Sequence, residues 1–193
     1  TAVALDPEEP RARLFLSRAL YAAGRTEEAI AENGRIPAPV PAEAASDRCA
    51  MLLAAGDPAS AEAACLDALS MDADLAEAHA NLGVVRSRRG RPDAAEASYR
   101  RALDLAPDLI DARFNLAALC ERQGRSAEGL SALAPLLDGS RGRAEASTLR
   151  LAARLAIQKG DSESARAWLE ASLAVEPDSA EAAQMKRLLG PRR

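Results

Sequence analysis

Aromatic side chains are scarce in this chain: Phe15, Phe114, Tyr21, Tyr99 and Trp168 make up 3% of its 193 residues. A core without many rings has to be built from small and medium aliphatics, and hydrophobic residues, Ala foremost, still reach 48%. Ala and Leu favour closely packed helices, because Ala has the best helix propensity and a small footprint. Lysine is nearly absent too. Only Lys159 and Lys186 occur, and Arg carries the remaining positive charge; with the Ala richness this suggests a GC-rich bacterial genome, a matter of codon supply rather than function. The net charge of −4 is opposite to the balance of nucleic-acid binders, which draw their affinity from phosphate contacts, so no nucleic-acid partner is expected. No apolar run approaches the length of a membrane span, so no membrane insertion is expected.

Catalytic signatures are missing as well. The sequence holds no phosphate-cradling Gly-rich loop, nucleophile elbow, paired-His metal helix or calcium loop. DGSRGR at 138–143 reads as a Gly-rich turn rather than an anion cradle. His79 is the single histidine, with no nucleophile or orienting carboxylate indicated beside it. Cys49, Cys65 and Cys120 are odd in number and lack metal-like or disulfide-like spacing. They fit a reducing compartment, leaning towards the cytoplasm with the periplasm as the alternative. These absences predict no enzyme activity, no cofactor and no metal.

What is present is a period. Four segments align, beginning AEAASDRC at Ala42, AEAHANLG at Ala76, IDARFNLA at Ile110 and ASTLRLAA at Ala146. The first three abut, Ala144 and Glu145 separate the third from the fourth, and the repeat is about 34 residues long. Each segment reads as two helices around a turn glycine, Gly56, Gly90, Gly124 or Gly160, since Gly accepts a left-handed helix terminus. Asp57, Asp93, Ser126 and Asp161 follow as residues able to cap the second helix. Pro107 and Pro177 stop the second helices of two repeats.

The segment from Ala76 carries Leu82 and Gly83, then Ala95, Tyr99, Ala102 and Pro107, and so resembles the tetratricopeptide-repeat consensus almost throughout. Leu116, Ala117, Gly129 and Leu133 match in the next segment, and Ala152, Ala153, Ala165, Leu169, Ser172 and Pro177 in the last. The segment from Ala42 departs from it, with Arg48 where Leu is usual and Ala73 where Pro is usual. On this reading residues 1–9 are the end of a preceding repeat or a linker, and 10–41 a degenerate repeat with Leu16, Ser17 and Leu20 facing inward. Repeats follow at 42–75, 76–109, 110–145 (with a short insertion) and 146–179, then a capping helix and tail at 180–193. Gly34, Pro37, Pro39 and Pro41 should cut the degenerate repeat's second helix short, leaving 35–42 non-helical and the most mobile junction.

The resemblance implies an all-α, right-handed α-solenoid with a C-terminal capping helix, either a bacterial-type repeat protein or the repeat region of a larger one. It places all three cysteines and His79 at buried positions, which would make the cysteines inert structural thiols. It implies a scaffold or adaptor that holds a protein or peptide in a concave groove. The alternative is the non-catalytic repeat region of a larger enzyme, such as a glycosyltransferase, or of an envelope, secretion or pilus assembly machine. Self-association through exposed repeat ends is a third class. The groove residues expected are Asn81, Val84, Ser87, Arg88, Phe114, Asn115, Glu121, Arg150 and Arg154. Phe114 reads equally as an anchor or as packing. The basic run at Arg86–Arg91 reads as the solvated end of a first helix, or more sharply as a contact for an acidic partner. Some relatives grip a chaperone's C-terminal carboxylate with Lys, Asn and Arg; Asn81 and Asn115 match one such position, but Ser46, Ala50, Ala80 and Val84 stand where Lys and Asn are needed, so that clamp is not expected.

Overall fold

A computed structural model describes residues 9–138 and 144–190. Among the described residues there are eleven α-helices and no strand. In chain order they are α1 (Pro10–Ala22), α2 (Thr26–Asn33), α3 (Ala42–Ala54), α4 (Pro58–Met71), α5 (Ala76–Arg88), α6 (Pro92–Leu105), α7 (Ile110–Arg122), α8 (Ser126–Leu137), α9 (Ala146–Lys159), α10 (Ser162–Val175) and α11 (Ala180–Leu188). The chain divides into two compact units, Thr1–Leu109 and Ile110–Arg193. In the first, α1–α6 form three stacked helix pairs; in the second, α7–α10 form two more, and α11 packs on α10. The opening AVALDP and most of the DGSRGR turn lie outside the described residues.

Local chemistry explains the helix ends. The glycine that closes each first helix adopts positive φ, from 70° at Gly90 to 83° at Gly160, where any other residue would be strained. Pro10, Pro58 and Pro92 occupy first helical positions, where the missing N–H is not needed. Asp57 and Asp161 cap α4 and α10 by accepting from the Ser60 and Ser164 amides, each at 3.0 Å. The other two expected caps differ. Asp93 lies inside α6, and Ser126 is the first residue of α8, its hydroxyl paired with Gln158 Oε1 at 2.9 Å. Ser179, whose hydroxyl accepts from the Ala182 amide, caps α11 instead.

Each helix pair carries two buried residues at a fixed register, one on each helix. Gly83 of α5 faces Tyr99 of α6 so closely that an added Cβ would lie 2.5 Å from the ring. The same positions hold Ala117 and Leu133 in α7–α8, and Ala153 and Leu169 in α9–α10, all with 0% exposure. A small residue on the first helix lets the axes approach, and a large one on the second fills the gap. In α1–α2 the pair is Ser17 and Asn33, both buried and both satisfied: Ser17 donates to the Leu14 carbonyl and Asn33 Nδ2 to the Ala44 carbonyl, each at 2.9 Å.

In α3–α4 these positions are Cys49 and Cys65, and they are bonded as a disulfide, with Cα atoms 5.2 Å apart. This corrects the reading of three inert thiols without disulfide-like spacing. Sixteen residues look arbitrary along the chain, yet they also separate Gly83 from Tyr99, Ala117 from Leu133 and Ala153 from Leu169, the buried small and large residues at the same register. Cys120 remains a buried thiol.

The Pro-rich junction is shorter than expected at its end, since Ala42 already belongs to α3. Helix α2 has only eight residues, against fourteen in α4 and α6. The connector is nevertheless anchored, because Ile36 is 6% exposed. Helix α11 buries Ala182 fully, and Met185 and Leu189 pack with it against Ala153 and Leu169. Its Lys186 ammonium pairs with Glu170 of α10 at 3.0 Å.

Candidate partner-binding face

The first helices of successive pairs lie side by side within each unit: α1, α3 and α5 in the first, α7 and α9 in the second. Of the expected groove residues, Asn81, Val84, Ser87 and Arg88 stand on α5 of the first unit. Phe114, Asn115 and Glu121 stand on α7, and Arg150 and Arg154 on α9, of the second.

Much of this face is occupied by bonds between neighbouring repeats. Asn81 Nδ2 donates to the Ser46 hydroxyl and carbonyl of α3, at 3.2 and 3.3 Å. Arg88 donates to the Leu53 carbonyl at 2.8 Å, satisfying a C-terminal carbonyl of α3. Arg18 of α1 pairs with Asp47 of α3 at 2.5 Å. Burial nevertheless pushes the Asp47 carboxyl above the usual carboxylate range, with Glu43 and Glu77 adding to the shift against the pull of Arg18. Val84 packs partly against the cluster of Cys49, Cys65, Leu82 and Val85.

The second unit carries a continuous ion network. Arg154 binds Glu121 of α7 at 2.6 Å and Glu181 of α11 at 3.0 Å, while Arg150 binds Glu176 at 2.5 Å and Glu181 at 3.2 Å. The hydrogen bond to Glu121 is the main reason the Arg154 guanidinium holds its proton more tightly than a free arginine. Phe114 is half-buried against Ala117, Leu133, Leu151 and Leu155. Asn115 beside it makes no side-chain hydrogen bond among the described residues.

The basic run is likewise spent internally. Arg86 bonds the Ser98 hydroxyl at 2.8 Å, and Arg89 and Arg91 converge on Glu62 of α4. The Arg91 hydrogen bond, helped by the other arginines and opposed by burial, holds the Glu62 carboxyl below its ordinary range. The run is the solvent-exposed end of a first helix, and its arginines also tie α4 to the α5–α6 turn. His79 differs from its expected core position. It is half-buried, and its Nε2 bonds the Ala73 carbonyl at 2.9 Å, in the turn where related repeats carry proline. Sequence reasoning missed these roles because bond partners across repeats depend on side-chain reach and not on register alone.

Among the described residues no cluster of three or more His, Cys, Asp or Glu could hold a metal, and no helix is long and apolar enough to cross a membrane. The molecule is thus an all-α protein of stacked helix pairs, the class whose members work by presenting surfaces built from repeated helices. Models of the tetratricopeptide repeat match residues 1–47, 76–109, 111–135 and 146–171, together well over half of the sequence. The chain belongs to the tetratricopeptide-repeat family. Such repeats typically mediate protein–protein interactions and are generally non-catalytic.

No curated protein matches the sequence. Among solved structures, the chain superposes on the APC/C hetero-tetramer Cut9–Hcn1 with a TM-score of 0.86 at 16% identity, covering 98% of this chain and 38% of that one. It thus spans little over a third of that protein. The chain of Pseudomonas aeruginosa pilF gives a TM-score of 0.78 at 19% identity, with 97% and 85% covered. YrrB, described as a repeat protein with an unusual peptide-binding site, gives 0.67 at 20% identity, with 96% of both chains covered. At these identities the likeness is one of fold.

Proposed function

We propose that this chain is a scaffold or adaptor that holds a protein or peptide partner on the first-helix face of its second unit, α7 and α9. The observation that carries the reading is the juxtaposition on α7 of Phe114, an aromatic ring left half-exposed, with Asn115, an amide with no internal hydrogen bond among the described residues. An aromatic anchor beside a polar group able to bond a ligand backbone is the common make-up of a binding hot spot. The neighbouring arginines are held in place by carboxylates, so the face offers preorganised and locally neutralised charge rather than a basic patch. YrrB, with its peptide-binding site, supports the same class of ligand.

The test is affinity capture from the source cells with the wild-type chain and with Phe114→Ala and Asn115→Ala, followed by titration of the captured partner. Phe114→Ala is expected to weaken binding by roughly 1–3 kcal/mol with a small change in melting temperature. A much lower melt with unchanged binding would assign Phe114 to packing alone and refute the anchor.

A further inference from the structure

Cys49 and Cys65 are both fully buried, and they occupy the register positions of Gly83 and Tyr99. The other repeats of this length close their pairs by filling the second position with Tyr99, Leu133 or Leu169. Cysteine is far smaller than any of these, so two reduced cysteines would leave the α3–α4 pair underpacked. The same pair departs from the repeat pattern elsewhere: Arg48 is exposed where its equivalent Leu82 is 2% exposed, and Ala73 stands where Pro107 does. The covalent bond therefore falls on the helix pair that lacks the large residue the other repeats of this length place at the second position, inside the cluster of Leu53, Ala61, Ala64, Leu82 and Val85.

We propose that Cys49–Cys65 is a structural staple that replaces this small–large packing, and that the chain folds in an oxidising compartment, outside the reducing cytosol. Intracellular thiol pools keep such pairs reduced, whereas disulfides persist in secreted and periplasmic proteins. The proposal holds whether or not Phe114 anchors a partner. Formation takes two electrons and two protons from the pair. A disulfide oxidant, a small-molecule disulfide or a thiol–disulfide oxidoreductase, accepts them. A cysteine thiolate attacks it, one thiol leaves, and the second cysteine resolves the mixed disulfide and releases the other. Since both sulfurs are buried, the exchange has to occur before α3 and α4 close, and the finished bond is shielded from attacking thiolates.

Protein from its own cells, denatured in N-ethylmaleimide before any reductant is added, is expected to carry one alkylated cysteine, Cys120, and a linked Cys49–Cys65 peptide in the mass spectrum. Three alkylated cysteines would overturn the compartment assignment. For the staple, Cys49→Ser with Cys65→Ser should melt on the order of 10 °C lower than the oxidised protein. Cys49→Ala with Cys65→Leu, which copies Ala117 and Leu133, should recover most of that loss and melt alike with and without reductant. Wild-type protein reduced while unfolded and refolded in reductant gives the same comparison without substitution. If it melts at the oxidised temperature, the bond is dispensable and the staple is refuted.

Discussion

Gly83 shows how a single hydrogen in place of a side chain sets the spacing of two helices. A Cβ there would meet the Tyr99 ring at 2.5 Å. Gly83→Leu is therefore expected to overpack α5 against α6 and cost about 1–3 kcal/mol in a urea melt. Gly83→Ala should cost less. Combined with Tyr99→Leu it recreates the pair seen at Ala117 and Leu133, and should recover part of the loss; a double variant no more stable than Gly83→Ala would refute the contact. The importance of Gly83 was legible in the repeat pattern, since a Leu-Gly pair at a fixed phase marks a helix approach. The bond between Cys49 and Cys65 was not read, although superposing the repeats places the two cysteines on the same contact as Gly83 and Tyr99.

At the scale of elements, polar side chains that register assigns to the open face tie one first helix to the next. Arg154 joins α7, α9 and α11 by reaching both Glu121 and Glu181. A double-mutant cycle of Arg154→Ala and Glu121→Gln should give a coupling of about 0.5–1 kcal/mol, towards the upper end for a partly covered pair. Coupling indistinguishable from zero in thermal melts would show the pair to be incidental. Sequence alone placed Arg150, Arg154 and Glu121 on first helices but did not show their engagement with one another. Their partners lie some thirty residues away in sequence, and a choice among several carboxylates is decided by side-chain reach. Helix α2 illustrates the opposite case. Its shortness follows directly from Gly34 and the three prolines, because each proline lacks the N–H a continuing helix would use.

At the scale of the whole molecule, stability in acid follows from which carboxylates are engaged in the folded state. Glu62, gripped by Arg91 and Arg89, has its folded pKa below its unfolded one. Its contribution is therefore fully present above the ordinary glutamate range, and is lost as pH falls through the lowered value. Asp57 and Asp161, lowered by the serine hydrogen bonds they accept as caps, act with the same sign, while Asp47, raised by burial, acts against them. Glu62→Gln should flatten the loss of stability below about pH 4, by less than about 1 kcal/mol because its arginine partners are solvent-exposed; an unchanged pH profile would show that Glu62 plays no part. Sequence by itself determined the repeat, its all-helical character and the turn glycines, because these are properties of local propensity and a short period. Only the tertiary structure decided that two cysteines close one helix pair covalently, that the basic run clamps Glu62, and that the open face is laced by ion pairs. These depend on distances between residues far apart in sequence, which periodicity brings near but does not join.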